Sequence, residues 1–423
     1  MIPRMEISQL RRSLGQVLGG PQLFVVSAQF LRVGLLALYL FTGTRLLGPS
    51  GYGALATAAA LAAIGATLVG LGSGIGLVRL TSRDAASFPL AWGECLARHA
   101  ISGLLILLAY VLFSRRWLSS PLFADALIPI GVTELVLVPV ISAAGYAFIA
   151  HARYRTGAVI QTLPAVARFL AAGGLWLQGS MPDIDAFAIS VLLAMLAACA
   201  LSILLACAFL PLPTRPRLRV VLAPDYSAAY AGSNLVNSLS AEADKLVVYR
   251  LTSADQTGIY SATTRIMSAF AMPYGTLIQS RSHHLFALGA TIGPAHMRFL
   301  RRYAIAFAAY GLACVLVTTL AASHLIRWLG PGFENGEVLV VTLSFWVPLN
   351  GFRQLIGSLL TTSDRAWRRS FSDIFTAVMF VVVALVRVPG NGMTGAVEAK
   401  ITAEFVGLLT TFLIFMHARK TAR

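Results

Sequence analysis

Residues 45–55 read RLLGPSGYGAL, and how this glycine-rich stretch is understood decides the fold. A phosphate-cradling loop would need the pattern G-x-x-x-x-G-K-[ST], and the lysine and hydroxyl that complete it are not in place. Residues 56–78, ATAAALAAIGATLVGLGSGIGLV, form an apolar run too long for the helix of a nucleotide-binding unit. The stretch is therefore read as a tight turn between two membrane-spanning helices, and the rest of the chain tests that reading.

Of the 423 residues, 57% are hydrophobic and 12% charged, with a mean hydropathy of +0.76, whereas about a quarter of the residues of a soluble domain are charged. Such a chain belongs in a bilayer. The formal charge of +16 raises nucleic acid as a partner, but that needs basic residues clustered on one soluble face. Here they stand singly and in pairs between apolar runs, so no nucleic-acid partner is expected. Cys95, Cys199, Cys207 and Cys314 lie in or beside apolar segments without a C-x-x-C pair. They read as small core residues, with no disulfide framework and no zinc site. The apolar run over 23–44 exceeds a signal-peptide core and lacks an A-x-A site, so it is expected to remain as the first span. Before it, Ile7, Leu10, Leu14 and Leu18 fall at helical spacing and predict a short helix over 5–18 on the cytoplasmic surface.

A bilayer core takes about 20 apolar residues per helix. That length predicts an all-α membrane protein of about twelve spans: 22–44, 53–78, 92–114, 124–149, 157–178, 186–210, 227–249, 258–285, 303–326, 337–362, 370–388 and 393–416. Lys and Arg concentrate in cytoplasmic loops. With the N-terminus inside, the outer loops hold six basic residues, Arg45, Arg115, Arg116, Arg250, Arg327 and Arg387; the termini and inner loops hold nineteen. Both termini are expected in the cytoplasm of a multi-pass membrane protein. The longest polar break, LPLPTRPRLRVVLAP at 210–224, divides the chain six plus six. The expected organisation is an N-terminal lobe over 1–210, a cytoplasmic linker over 211–224 and a C-terminal lobe over 225–423. The halves echo one another: an offset of 205 pairs Arg250 with Arg45, Asn237 with Arg32 and Asn234 with Gln29. Two extra residues in the second turn then pair Gly258 with Gly51. The glycine turn is thus the outer hairpin of one lobe, and RLTSADQTGIY at 250–260 is its counterpart.

Residues 45–80, RLLGPSGYGALATAAALAAIGATLVGLGSGIGLVRL, and 243–273, ADKLVVYRLTSADQTGIYSATTRIMSAFAMP, resemble the multidrug/oligosaccharidyl-lipid/polysaccharide exporter superfamily, in particular its Wzx-like polysaccharide flippase branch. The shared features are a G-P-x-x-Y-G turn with a Gly-rich second helix, and an acidic-basic pair, here Asp244 and Lys245, before a second turn ending in G-x-Y. The resemblance implies two six-helix lobes around a central cavity, a bacterial inner-membrane location and export of a lipid-linked glycan. It implies as partners that glycan substrate, the membrane lipids and other polysaccharide-assembly proteins.

Charge inside a span is informative, because an Arg at the bilayer centre costs about 2.5–3.5 kcal/mol on insertion scales. Arg98, Lys245, Arg281 and Lys400 lie near span ends, where long side chains snorkel to water. Arg32, Arg168, Arg265 and Arg353 lie deeper. They either face a water-filled route or pair with carboxylates such as Glu134, Asp373 and Glu404. A diphosphate linkage offers oxygens that Arg binds in a fork, so these four are candidate substrate residues. Gln29, Asn234 and Asn237 stand at matched depth with Arg32 on the first and seventh spans, as further substrate residues or as interhelical hydrogen-bond partners. Glu242 and Asp244 either pair with Lys245 or Arg250 or couple transport to a cation. His283 and His284 are adjacent, a poor geometry for one metal, and read as interfacial; no metal and no cofactor is expected.

Three functions compete. The first is flipping of a polyprenyl-diphosphate-linked oligosaccharide for surface polysaccharide biosynthesis by alternating access. The second is a cation-coupled multidrug exporter of the same architecture, whose cavity would favour carboxylates and aromatics. The third is a membrane glycan polymerase or transferase, which would need catalytic acids or histidines on a sizeable loop. The Arg-rich deep set and the short loops favour the first, a non-enzyme.

Overall fold

The computed structural model describes residues 21–117, 125–179, 181–217, 228–281, 285, 292–362 and 366–420. The short helix expected over 5–18, the pair His283 and His284, and the second half of the inter-lobe linker, 218–224, lie outside them. The elements are α1 (Pro21–Ala66), α2 (Ser73–Arg83), α3 (Phe88–Trp117), α4 (Leu127–Val132), α5 (Val138–Ala150), α6 (Tyr154–Leu177), α7 (Ile184–Phe209), α8 (Ala228–Leu251), α9 (Ala254–Ser280), α10 (Pro294–Leu329), α11 (Gly336–Ser344), α12 (Trp346–Thr362) and α13 (Ala366–Lys420). Among the described residues no strand occurs. Eight helical segments are long and apolar enough to cross a membrane. Two of these each contain two spans: α1 breaks at Gly48 (φ 65°, ψ −178°) and α13 at Gly392 (φ 55°, ψ −134°). With α8 and α9, which are long enough but more polar, twelve spans result. The protein is an all-α, multi-pass membrane protein of two six-helix lobes around a central cavity.

Local sequence accounts for the breaks. Gly48 takes a positive φ that only glycine adopts without cost, and Pro49 follows it as the first residue of a new helix, where its missing N–H is not needed. The expected unbroken second span is not found. The chain leaves α-helix after Ala66, turns through Val69–Gly72 with positive φ at Gly70, Leu71 and Gly72, and restarts as α2. Close packing requires this: a Cβ on Gly70 would lie 2.4 Å from the His99 ring, and one on Gly74 would lie 2.5 Å from the Tyr146 ring. The freed Gly70 N–H donates to Ser102 Oγ (2.8 Å), so the irregular backbone remains satisfied inside protein. Between α4 and α5 a single π-turn, Thr133–Leu137, inserts one extra residue around Glu134.

Apolar burial follows the two halves. One cluster joins α8 to α13, with Leu40, Tyr52 and Ala56 added from α1; two others fill the space among α1 to α7. Cys95 and Cys314 are buried as expected, while Cys199 is half-buried and Cys207 exposed, and all four are free thiols.

The halves meet at the hairpin end through backbone. A Cβ on Gly53 would lie 2.0 Å from the Ala254 carbonyl oxygen, and one on Gly258 would lie 2.0 Å from the Pro49 carbonyl oxygen. Pro49 and Ala254 open their helices, and both they and the two glycines are 205 positions apart. The contact is therefore reciprocal, as a two-fold relation between the halves demands. It also corrects the expected alignment: the offset of 205 runs through the turn without insertion, and Gly258 matches Gly53 rather than Gly51. Beside it, Arg45 donates to the carbonyls of Trp328 (2.9 Å) and Arg327 (3.2 Å) at the end of α10 and stands over the Trp176 ring at 5.7 Å.

Candidate functional site

Eight of the nine residues singled out in the sequence divide between two neighbouring chambers. The smaller, of about 350 Å³, is lined by Arg32, Arg168, Arg265, Glu134 and Glu242 together with Tyr39 and Tyr52. The larger, of about 520 Å³, is lined by Gln29, Asn237, Asp244 and Arg353, with Arg369, Asp373, Lys400, Glu404 and Trp346 among its other walls. Asn234 is exposed and lines neither.

Three elements build the cationic chamber: α1 carries Arg32 and Tyr39, α6 carries Arg168, and α9 carries Arg265. The π-turn carries Glu134, and one extra residue per turn redirects a side chain at that point. Glu134 there accepts a hydrogen bond from Arg168 at 2.5 Å. Glu242 is likewise engaged, accepting from Lys245 Nζ at 2.8 Å. Neither Arg32 nor Arg265 has a carboxylate within salt-bridge distance among the described residues. Arg168 balances Glu134 and Lys245 balances Glu242, so two positive charges remain, on Arg32 and Arg265.

The larger chamber is different. Arg353 is clasped by Asp373 and by Glu404 (2.5 Å). Glu404 also accepts from Trp346 Nε1 (3.1 Å) and Asn350 Nδ2 (3.2 Å). Asp244 accepts from Lys400 Nζ, from Tyr260 Oη (2.9 Å) and from the Lys245 N–H (2.8 Å). Arg369 reaches Asp373 at 3.8 Å. Arg353, Arg369 and Lys400 thus balance Asp244, Asp373 and Glu404, and this chamber carries no net charge.

Arg168 and Arg353 therefore follow the pairing alternative at the same time as they line chambers, whereas Arg32 and Arg265 follow the open one. Lys245 does not snorkel: it is 4% exposed and paired within the protein. The pairing of Lys245 with Glu242 and Asp244, which the sequence offered beside snorkelling, is the one found. Lys400, likewise placed near a span end, is paired with Asp244. Tyr260, Trp346, Asn350 and Gln354 were not singled out, because their partners lie 16 to 58 residues away in sequence; only Gln354, bonded to Asn350 four residues before it at 2.6 Å, had a readable local signal. Among the described residues no group of three or more His, Cys, Asp or Glu side chains is placed to hold a metal ion.

The model for the family described as polysaccharide biosynthesis protein matches residues 22–280, more than half of the chain. The chain belongs to that family. No curated protein matches it. Among solved structures, it is similar to a multidrug resistance MATE family transporter of the MOP superfamily in an inward-facing conformation, with 15% identity and a TM-score of 0.67 over 98% of this chain and 99% of that one. It is also similar to the lipid II flippase MurJ in an inward closed conformation, with 12% identity and a TM-score of 0.65 over 95% and 90%. The MATE multidrug transporter DinF-BH gives 14% identity and a TM-score of 0.63 over 99% and 97%. At these identities the likeness is one of fold. These neighbours are transporters and a flippase, not enzymes.

Proposed function

We propose that this protein flips a polyprenyl-diphosphate-linked oligosaccharide across the cytoplasmic membrane for surface polysaccharide assembly, with both termini in the cytoplasm. The observation that carries the reading is the cationic chamber, where Arg32 and Arg265 form no salt bridge among the described residues. A diphosphate cannot cross hydrocarbon unaided, and two guanidinium groups in a partly dehydrated cavity supply paired donors to its oxygens. Arg168, already bound to Glu134, positions that wall. Family membership supports the polysaccharide context, and one neighbour of the same fold is a lipid II flippase. Residues 1–210 and 225–423 form the lobes that rock about the site, and the glycine contact between them closes the hairpin end. Glu242 and Asp244 link the chambers through Lys245 and are the residues through which a cation would couple transport.

The test measures surface glycan and protein abundance together. Arg32→Ala and Arg265→Ala should abolish glycan export at normal abundance, because neither leaves a carboxylate unpaired. Their Lys variants, which keep the charge and lose the fork, should retain part of it. Normal export from both Ala variants would sink the assignment. The drug-exporter reading draws on Asp244, Asp373, Glu404 and Trp346 in the larger chamber, but each carboxylate there is already neutralised. Drug resistance conferred by the protein and lost in Asp244→Asn would favour that alternative.

A further inference from the structure

The larger chamber is polar, roomy and charge-balanced, which suits it to something other than an anion. Its volume of about 520 Å³ falls within the range of small-molecule sites. The six charged side chains on its wall are locked in pairs, so an entering phosphate would have to break a bridge to find a cation. What remains available is neutral hydrogen-bonding capacity. Gln29, Asn237 and Gln279 line the chamber and are exposed, and their side chains form no hydrogen bond among the described residues. Gln354 uses one donor on Asn350. An amide side chain offers two donors and an acceptor in one group, which matches sugar hydroxyls, each both donor and acceptor. Trp346 adds an aromatic wall, held in place by its bond to Glu404.

Building on the flippase reading, we infer that the larger chamber is the glycan subsite: it takes the first, uncharged sugars of the lipid-linked oligosaccharide through Gln29, Asn237, Gln279 and Trp346, while the diphosphate rests between Arg32 and Arg265. The two chambers share the helices that carry these residues. Gln29 and Arg32 lie on α1, and Asp244 and Glu242 lie on α8, each pair divided between the chambers. A headgroup whose anionic and neutral parts are joined by one glycosidic bond meets the same division. The large chamber then reads the sugar while the small one reads the linkage.

The experiment follows flipping in proteoliposomes with two probes, undecaprenyl diphosphate without sugar and the lipid-linked oligosaccharide extracted from the host strain. The quantity read is the ratio of the oligosaccharide rate to the sugar-free rate. Removing two neutral hydrogen bonds in Asn237→Ala/Gln279→Ala should lower that ratio about tenfold. Neither residue holds another part of the protein, so abundance and thermal stability should match the parent. Arg265→Lys, which retains part of the activity, should slow both probes in proportion and leave the ratio alone. A ratio unchanged in the double variant, with both probes still flipped, would overturn the glycan subsite and spare the flippase reading. If the parent protein flips neither probe, the flippase reading fails and the subsite with it.

Discussion

Adding one methyl group at Gly53 should hold the hairpin end of the molecule open. The added Cβ would lie 2.0 Å from the Ala254 carbonyl oxygen, whereas real Cβ contacts stay beyond 3.0 Å, so the two helix N-termini must part by at least 1.0 Å. The obstructing atom is backbone and cannot swing aside as a side chain would. Forced overpacking of this kind costs about 1–3 kcal/mol, and here the cost falls only on the state in which the hairpins touch. The balance between closed and open states should therefore move about 5- to 150-fold toward open. The assay is pulsed electron paramagnetic resonance between labels at Met181→Cys and Glu334→Cys, which face one pocket across the hairpin end, in a background with the four native cysteines replaced. Gly53→Ala should lengthen the distance distribution, and Gly258→Ala, which meets Pro49 O at the same 2.0 Å, should do the same. Because both clashes occur at one contact, the double variant should add little to either single one. Gly34→Ala, where a Cβ meets nothing within 4 Å, is the control. Unchanged closed distances in both single variants at normal abundance would refute the reasoning.

Further outcomes follow from the same geometry. Arg45→Ala removes two hydrogen bonds to the end of α10 and the contact with Trp176; in the same assay it should open the hairpin end by a smaller margin, about fivefold, since neutral-acceptor bonds to a charged donor are worth about 1 kcal/mol when exposed. Arg353→Ala leaves Asp373 and Glu404 facing each other without their shared cation, which should cost about 3–5 kcal/mol and lower abundance. Combining Arg353→Met with Asp373→Asn and Glu404→Gln should restore abundance, as read by immunoblot of isolated membranes. Membrane-impermeant thiol labelling of intact cells should modify single cysteines at Met181 and Glu334 and spare one at Thr214; labelling at Thr214 would reverse the proposed orientation.

Helix number was legible because bilayer thickness imposes a length, and any apolar run of that length declares itself. The two spans most easily underrated by hydropathy, α8 and α9, are those that carry Asn237, Glu242, Asp244, Lys245 and Arg265. Helices that line a polar chamber lose apolar character for the reason that makes them functional. The break at Gly70 was less legible, since a glycine-rich helix and an interrupted one share a composition, and only the approach of His99 and Tyr146 decides between them.

The division of the site into two chambers lay beyond the sequence for a geometric reason. Depth along a helix can be counted, and by depth Gln29 and Arg32 form one polar face of α1. Three residues advance a helix by about 300°, which leaves the two side chains about 60° apart in direction and about one turn apart in height. On the surface of a single helix that counts as neighbouring. Where α8 and α9 wall off the space beside it, 60° is enough to send Arg32 to the cationic chamber and Gln29 to the neutral one. A step of two residues separates Glu242 from Asp244 by about 200° on α8, and they too serve different chambers. The carboxylates themselves were legible, since Glu134, Asp373 and Glu404 stood out in the spans as possible partners; which arginine each takes was not, because Glu134 meets Arg168 from 34 residues away and Glu404 meets Arg353 from 51. Sequence could nominate the four deep arginines, but only three-dimensional placement could show that two are neutralised. Under the proposed flippase reading the functional weight then falls on Arg32 and Arg265, the two that form no salt bridge among the described residues.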